Sequence, residues 1–534
     1  MDLLFLVALL PVILALILLV IFVLPAIRVM PVIWAFTLLI AALVWRMPPN
    51  ALIAANIKGL EGAFEIVLII FGALLLLCVL EDSGALSAIT RNLASISEDS
   101  RVQAVIVGFL FVSLLESCAG FGVPAAICAS MLYMLGFPPV AAVVASLIGD
   151  MASVTFGGLG VPILVSYGKT LDIPEVISSL PYGIDQMLIN VSFWSATFHA
   201  LVGSFIPFMI CLVLTRFWGN KSARDAFGVW KFCLFVSATF FVPYWLFSLL
   251  GPELPTIGAS MVSLPLVIYT SSKGFLMPKK TWKLGEKRGG DTAIKDVSTL
   301  KAWSPYALVV AVLILTRIPA IYDVLSSLTL SWNNALSSGI SIAISPLTIP
   351  GVIPLIPVAL MLIPIYGIEG KDVKKIFLTA AKRTAPTSVV LIFSVTMAML
   401  MVNSFINVSG YDGMLVVLAK ALASIFGRTW GFISPFIGAL GSFITGSNTT
   451  SDMTFGLLQW TAAQQVGISG EIALALQAVG GSLGVTICVA KVITACATVG
   501  MVGKEGEVIR KTLWPTLLYC TAVGLLGLAF TLLL

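Results

Sequence analysis

The sequence predicts an all-α, polytopic membrane protein with about 12 to 14 transmembrane helices. Hydrophobic residues make up 59% of its 534 residues and charged residues only 10%, whereas an average soluble domain has about 25% charged residues. A soluble core cannot bury so many apolar side chains, because surface grows too steeply with mass. The apolar runs are continuous, which favours membrane helices over the short alternating strands of a barrel.

Twelve apolar runs are long enough to be full spans. They lie at about 2–24, 30–46, 63–80, 102–116, 187–215, 231–250, 256–272, 303–321, 350–367, 387–406, 429–445 and 514–534. Each approaches or exceeds the length of about 20 residues that a helix needs to cross a bilayer.

Lysine and arginine concentrate in four loops, at 216–231, 273–301, 371–383 and 504–511. The positive-inside rule places these loops in the cytoplasm, and counting spans puts both ends of the chain outside. The polar stretch 273–302 is interpreted as a solvated cytoplasmic linker between an N-terminal membrane half, 1–272, and a C-terminal half, 303–534. We therefore expect a multi-pass protein of the cytoplasmic (inner) membrane, with the lipid bilayer and no nucleic acid as a partner.

The residues that usually hold metals are scarce or scattered. There is one histidine, His199, and none of the eight cysteines forms a CxxC pair. This argues against a zinc, haem or iron–sulfur site, so we expect no metal and no cofactor. We interpret the cysteines as small buried residues and His199 as a hydrogen-bonded helix residue, with a proton relay as the alternative for His199.

Two regions, 116–164 and 441–500, are apolar overall but interrupted by Gly, Ser, Thr, Asn and Pro. Irregular backbone is tolerated at membrane depth only where it is buried in protein or lines a cavity. Shifting the first region by 331 residues places Gly149 on Gly480 and Thr155 on Thr486. The pattern fits a chain built of two homologous halves, each with a broken-helix region, around one central site.

A run of polar residues within the second region is the first candidate for a substrate contact. Its members are Gly446, Ser447, Asn448, Thr449 and Thr450. Ser and Asn favour helix N-caps, and the free N–H groups of a helix start, with its partial positive charge, suit a carboxylate. The alternative is a polar turn that only caps its own helix.

A facing tip is expected in the first region. Its substrate-binding candidates are Ser117, Cys118, Gly120 and Gly122. Glycine allows the backbone to approach a ligand closely, but small residues also serve close packing between membrane helices. Both interpretations stay open for this tip.

Four ionisable residues stand in these apolar stretches: Glu116, Asp150, Asp452 and Lys491. A charge within the membrane costs at least ~2.5 kcal/mol, so each is a functional candidate. Lys491 could supply the countercharge to an anionic substrate, or could pair with one of the carboxylates purely structurally. A buried carboxylate could take up a proton, and Asp150 is the first choice for proton coupling, with Glu116 and Asp452 as further candidates.

Six motifs, spread over nearly the whole chain, have the order and spacing of a known family. They are ESCAGFGVPAAI, LGFPPVAAVVASLIGD, GPELPTIG, ITGSNTTSDMTFG, LALQAVGGSLG and ACATVGMVGKEGEVIRKTL. In them the chain resembles the lactate permease family of the wider ion-transporter superfamily. The resemblance implies proton-coupled secondary transport of small 2-hydroxymonocarboxylates such as lactate and glycolate. It implies two inverted repeats with re-entrant hairpins or broken helices, and an elevator-like motion. It also implies that Ser447, Asn448 and Thr449 contact the substrate, facing a tip formed by Ser117, Gly120 and Gly122.

The chain departs from the pattern of this family at two kinds of position. Val123 and Val161 stand where typical members have threonines, and Val489-Ala490-Lys491 stands where they have Pro-His-Asn. Two hydroxyls are lost and an imidazole is exchanged for a nearby cation. These changes leave open a different carboxylate as substrate, or a Lys491 that replaces a transported cation.

Two other classes compete with a transporter. Tyr411-Asp412 and Gly149-Asp150 are similar to the paired motifs of intramembrane aspartyl proteases, but their order is reversed, and we expect no enzyme. An anion channel is disfavoured because paired broken helices with buried charges of both signs suit an alternating site. We therefore expect proton symport of L-lactate or a related small 2-hydroxymonocarboxylate by alternating access, and leave open whether two copies form a homodimer.

Overall fold

The computed structural model describes residues 3–22, 24–120, 122–286, 297–316, 318–349, 352–501 and 503–533. Over these residues the chain is almost entirely helical, and each of the twelve predicted runs coincides with a helical segment. Ten helices in the described part of the chain are long and apolar enough to cross a membrane, and a bent pair would add one. The predicted all-α membrane fold is confirmed.

The described residues of the first half form fifteen α-helices. They are α1 (Leu3–Leu16), α2 (Ala26–Leu43), α3 (Pro49–Asp82), α4 (Ala85–Ala94), α5 (Ser100–Val105), α6 (Val112–Cys118), α7 (Val123–Met134), α8 (Pro139–Gly149), α9 (Gly157–Thr170), α10 (Pro174–Ile177), α11 (Gly183–Val202), α12 (Ile206–Phe217), α13 (Arg224–Phe227), α14 (Trp230–Phe247) and α15 (Pro255–Ser272). A π-helical turn extends α1, and another joins α5 to α6 without a break.

The second half forms ten helices and one short β-hairpin. They are α16 (Thr299–Thr316), α17 (Pro319–Ser326), β1 (Leu330–Trp332), β2 (Ile342–Ile344), α18 (Val352–Tyr366), α19 (Gly370–Val402), α20 (Met414–Phe426), α21 (Trp430–Thr445), α22 (Asn448–Val466), α23 (Gly470–Ile487), α24 (Val489–Thr498) and α25 (Glu505–Leu533). β1 and β2 pair antiparallel.

Each half contains one helical hairpin. In the first, α5–α6 leads to a tip at Gly120 and Gly122, and α7 returns; in the second, α21 leads to a tip at Gly446, and α22 returns. The three glycines have φ values of +56°, +83° and +78°, which side chains with a Cβ rarely adopt. Runs 102–116 and 429–445, which were predicted as full spans, form the first arms of these hairpins and lie within two of the helical segments that are long enough to cross a membrane, Ser100–Cys118 and Met414–Thr445. Their hydropathy equals that of a span, and only the glycine turns reveal the return.

A broken helix follows each hairpin. α8 ends before Asp150, and α9 begins at Gly157 after a bend of 59°. α23 and α24 are separated by the extended residue Cys488. The shift of 331 residues places Pro139, the first residue of α8, on Gly470, the first residue of α23. The order of hairpin and broken helix is thus the same in both halves.

The two hairpins enter from opposite faces of the molecule. Both ends of the first hairpin meet the segment 273–286, on what we call the linker face: the N–H of Ser100 donates to the carbonyl of Trp282, and Gly136 packs on the backbone of Glu286. The second hairpin leaves towards Glu471, which accepts a hydrogen bond from Tyr182. The 35-residue stretch formed by α11 and α12 separates that contact from the linker by about 50 Å. We call the second side the far face.

The two halves pack on each other reciprocally. α1 contacts α20, and its counterpart α16 contacts α4; α2 contacts α19, and α18 contacts α3. Likewise α7 contacts α24 and α22 contacts α9, while α11 contacts α23 and α25 contacts α8. Such exchanged contacts are those of a pseudo-twofold arrangement, and with the opposed hairpins they describe inverted repeats.

Two bodies can be distinguished by their packing. The two longest helices, α3 and α19, cross so closely that a Cβ on Gly59 would lie 2.4 Å from the Cα of Thr396. They and their neighbours, α1–α4 and α16–α20, form what we call the scaffold. The hairpins and broken helices, together with α11, α12 and α25, form what we call the core. The candidate site lies in the core.

The linker was expected to be solvated, but its first part is docked. Trp282 is only 9% exposed, and its backbone N–H donates to Asp99 Oδ2 at 2.9 Å. The guanidinium of Arg101 donates to the carbonyl of Lys280 at 2.9 Å. A polar composition does not reveal such backbone contacts, which is why the sequence missed them. Residues 287–296 of the predicted linker lie outside the described residues.

Candidate functional site

The tips of both hairpins meet at the break in the second broken helix. A Cβ on Gly122 would lie 3.2 Å from Lys491 Cγ, and one on Gly446 would lie 3.4 Å from Cys488 Sγ. α7, α22 and α24 all begin beside these contacts. Three helix N-termini, with their unpaired N–H groups and partial positive charge, therefore converge on one place.

A buried ion pair joins the two breaks. Lys491 Nζ lies 2.6 Å from Asp150 Oδ2, and the two side chains are 4% and 1% exposed. Ser153 Oγ donates to the other carboxylate oxygen, Asp150 Oδ1, at 2.6 Å. Of the partners that the sequence left open for Lys491, the structure selects Asp150.

Glu116 adds a second carboxylate to this pair. It is 2% exposed, and Gly157 packs so closely that a Cβ there would lie 2.8 Å from Glu116 Oε1. Its charge interacts with those of Asp150 and Lys491, while Oε2 has no hydrogen-bond partner among the described residues. We call Glu116, Asp150 and Lys491 together the central cluster.

At the polar tip of the second hairpin, some polar groups are hydrogen-bonded and others have no hydrogen-bond partner among the described residues. Ser447 Oγ accepts a hydrogen bond from the N–H of Thr450, as an N-cap does. Asn448 Nδ2 donates to the carbonyl of Ala478 at 3.2 Å. Asn448 Oδ1 and Thr450 Oγ1 are buried without a hydrogen-bond partner among the described residues. Thr449 is tied by its backbone, because its carbonyl accepts from Ser166 Oγ at 2.8 Å.

Ser117 and Cys118 lie at the end of the first arm, just before the tip. Ser117 Oγ donates to the carbonyl of Leu114 at 2.7 Å, so its hydrogen is already used within the helix. Cys118 Sγ lies 3.7 Å from that hydroxyl. Both side chains are buried. The glycines of the same tip pack against Lys491 and against the first break.

Asp452 belongs to a different network. Its Oδ1 lies 3.5 Å from Gln477 Nε2, and its other neighbour is Tyr167 on α9. Gln477 also donates to Ser451 and accepts from Gln459 at 2.9 Å. The structure therefore gathers Glu116, Asp150 and Lys491 but places Asp452 in a separate set of hydrogen bonds between α9, α22 and α23.

Comparison with known proteins identifies the family. A profile described as "L-lactate permease" matches residues 4–534. The chain belongs to the L-lactate permease family. It is similar to the L-lactate permease of Escherichia coli K12, with 30% identity over 528 residues that cover 92% of this chain and 89% of that protein. It is also similar to the glycolate permease GlcA of Escherichia coli K12, with 31% identity over 537 residues and the same two coverages. Among solved structures, Neisseria gonorrhoeae MtrF superposes with a TM-score of 0.44 and 15% identity over 96% of each chain.

Membership of a permease family indicates that the chain is a multi-pass membrane transporter. The site suits the binding of a small anion, since helix N-termini and an ammonium attract an anion, and hydroxyl and amide groups can orient it. The imidazole of His199 lies between Thr155 Oγ1 at 2.8 Å and the hydroxyl of Tyr519 at 2.6 Å, so it is hydrogen-bonded on both ring nitrogens.

Sequence reasoning missed several side chains that support the permease site. Ser153 holds Asp150, and Thr155 connects His199 to the carbonyl of Ala478, which also receives Asn448. Thr155 could have been found, because the shift of 331 residues pairs it with Thr486. Ser153 has no such signal, since serines are frequent in the apolar half of any membrane protein.

Proposed function

We propose that this chain is a secondary active transporter that moves L-lactate, or a related small 2-hydroxymonocarboxylate such as glycolate, across the cytoplasmic membrane. Membership of the L-lactate permease family supports this proposal, and so do the names of the two Escherichia coli relatives, an L-lactate permease and a glycolate permease. The transport is proton symport with alternating access. The observation that carries the coupling mechanism is the buried Asp150–Lys491 ion pair.

The substrate carboxylate binds between the two tips. Its negative charge is stabilised by the N-termini of α7, α22 and α24, and Asn448 and Thr450 provide free polar groups for the 2-hydroxyl. Lys491 provides the countercharge. The Lys491 ammonium can bind the substrate only when Asp150 no longer binds it, because the substrate carboxylate and the Asp150 carboxylate compete for one cation.

Proton binding to Asp150 resolves this competition. A neutral Asp150 no longer needs Lys491, so the substrate carboxylate takes the place of the Asp150 carboxylate beside the ammonium. Without the proton, an incoming anion would add an uncompensated negative charge to the buried central cluster, which a low-dielectric site strongly opposes. Proton and anion therefore bind together, and substrate binding tightens as the pH falls.

The experiment is uptake of radiolabelled L-lactate into proteoliposomes, with and without an inward proton gradient. For the native protein we expect accumulation against the lactate gradient, inhibited by unlabelled glycolate. Asp150→Asn should leave Lys491 always available, so that gradient-driven accumulation is lost, substrate binding no longer depends on pH, and lactate–lactate exchange is retained. The matched control is Asp412→Asn, which removes an exposed, ion-paired aspartate of the scaffold and should leave accumulation unchanged.

The outcomes separate the parts of the proposal. Accumulation by Asp150→Asn equal to that of the native protein would overturn the coupling role of Asp150. Passive equilibration without accumulation by the native protein would indicate a channel. No lactate uptake by folded protein would overturn the substrate assignment; pyruvate and succinate then become the next substrates to test, because Val123, Val161 and Lys491 depart from the family pattern.

A further inference from the structure

A second charged cluster lies outside the central site, between the scaffold and the core. Lys169, near the end of α9, has its Nζ 2.7 Å from Glu61 Oε1 and 3.0 Å from Glu65 Oε1, both on α3. The three side chains are 22%, 9% and 8% exposed. Lys169 also donates to the carbonyl of Ala343 on β2, at the far face. Buried charges in an apolar helix are costly, so their presence needs a role.

These ion pairs cross the boundary between the scaffold and the core, where α20 also packs on α22 and α3 on α9. α9 is held to the second hairpin, because Ser166 Oγ donates to the carbonyl of Thr449 and Gly456 packs on the ring of Tyr167. α9 and α22 thus form one unit of the core, whereas Glu61 and Glu65 belong to the scaffold. Two further charged groups, Lys58 on α3 and Asp172 after α9, interact electrostatically at this junction. Moving the core relative to the scaffold would separate Lys169 from both carboxylates.

The core is covered more completely on the far side than towards the linker face. On the far side, residues 394–402 of α19 and 448–460 of α22 are buried throughout. Towards the linker face, α24 exposes Ile493 and Thr494, and α19 exposes Ala385 and Pro386. The part of α24 that follows Lys491 is therefore less covered than α22.

The repeats show that this difference is not imposed by the fold. α24 is the counterpart of α9, and α7 is the counterpart of α22, yet α9 is buried against the scaffold while one face of α24 is exposed. The charged junction is not repeated either: the shift of 331 residues places Lys169 on Gly500, which has no charge. An attachment of this kind at one face only favours the state that is closed at that face.

We propose that Glu61, Glu65 and Lys169 form the far-face gate of this transporter. Their ion pairs hold α9 and α22 against α3 while the site is open to the linker face, and they break when the site opens to the far face. This inference rests on the alternating access of the proposed function. It does not depend on the identity of the substrate.

The test measures which side of the core is accessible. Two cysteine reporters are introduced separately. Thr494→Cys lies on the exposed face of α24 towards the linker side. Met453→Cys lies on α22, where Met453 is buried against Gly62 of α3. All eight native cysteines are buried and should react slowly. Each reporter is combined with Glu61→Gln, Glu65→Gln and Lys169→Met together, which removes the ion pairs without leaving an unpaired charge. Labelling of purified protein by a polar thiol reagent is then followed over time.

In the triple substitution, which we call the gate variant, we expect the reagent to label Met453→Cys several-fold faster than in the native background. We expect it to label Thr494→Cys several-fold slower, since the far-face state is no longer disfavoured. The control is Asp412→Asn with Lys420→Met, which neutralises an exposed ion pair within the scaffold and should change neither rate. If the triple variant does not fold, Glu61→Gln alone keeps the pair between Lys169 and Glu65 and should give a smaller shift in the same direction. Unchanged ratios of the two rates in folded gate variants would overturn the proposal. A shift in labelling without lactate uptake would leave the gate standing and remove only the substrate assignment.

Discussion

At the scale of single residues, the pair of Asp150 and Lys491 constrains substitution most strongly. Both side chains are almost fully buried, and each neutralises the other at 2.6 Å. Removing one partner of a buried pair leaves an uncompensated charge and costs about 3–5 kcal/mol, whereas removing both can be nearly neutral. Single and double variants should therefore behave very differently.

Lys491→Met should lower the melting temperature of the detergent-solubilised protein by several degrees, because Asp150 and Glu116 are left without their cation. The double variant Asp150→Asn with Lys491→Met should recover much of that loss. Thermal unfolding followed by tryptophan fluorescence measures both. Equal melting temperatures for the single and double variants would mean that the pair does not stabilise the fold.

Gly122→Ala should abolish most transport. Its φ of +83° strains any residue with a Cβ by about 1–3 kcal/mol, and the added carbon would press on Lys491 Cγ at 3.2 Å. Gly410→Ala is a matched control, since Gly410 has a φ of +69° but no atom within 4 Å of such a Cβ. Uptake that falls equally in both variants would trace the effect to backbone strain and not to the contact with Lys491.

The sequence identified the ionisable residues of the site but not how they pair. Asp150 and Lys491 stand out because they are charges in apolar stretches, yet 341 residues separate them. Charge and hydropathy carry no information about which distant residues meet. For that reason Asp452 was kept as a further candidate beside Asp150, although it interacts with Gln477 and Tyr167 instead.

At the scale of helices, the N-terminus of α22 is capped by Ser447 and is, in the proposed mechanism, also a substrate contact. Ser447→Ala removes the cap on the N–H of Thr450 and should cost about 1 kcal/mol of stability. Ser469→Ala removes the equivalent cap of α23, where Ser469 accepts from the N–H of Ile472. We expect similar losses of stability in both variants but a raised KM for lactate only in Ser447→Ala. An equally raised KM in both would argue against a binding role for the α22 terminus.

The lengths and paths of helices were predicted less well than their existence. α3 and α19 have 34 and 33 residues, far longer than the predicted runs 63–80 and 387–406, because their polar ends pack on other helices and do not leave the fold. α4 and α20 were missed, since they have only 10 and 13 residues and each contains a basic residue, Arg91 or Lys420. A hairpin arm and a span have the same composition, so hydropathy alone cannot tell them apart.

At the scale of the whole molecule, the basic loops share one face. Lys511 lies 5.0 Å from the ring of Phe217 at the end of α12, and the hydroxyl of Tyr366 donates to the carbonyl of Lys301. We predict that this linker face is cytoplasmic. In intact cells, an impermeant thiol reagent should label Ser331→Cys on β1 and should label Lys279→Cys only after permeabilisation. The reverse pattern would invert the orientation.

The reciprocal packing of the two halves also has a consequence for biosynthesis. When the ribosome has completed α8, Asp150 is already in the membrane, but its counter-ion is still 341 residues from being made. α7 and α3 must likewise wait for α24 and α18. A nascent or truncated chain therefore carries unpaired carboxylates and unmatched helix faces, which are features that membrane proteases and chaperones recognise. Transport competence and escape from degradation are both reached only when the last few helices have been synthesised.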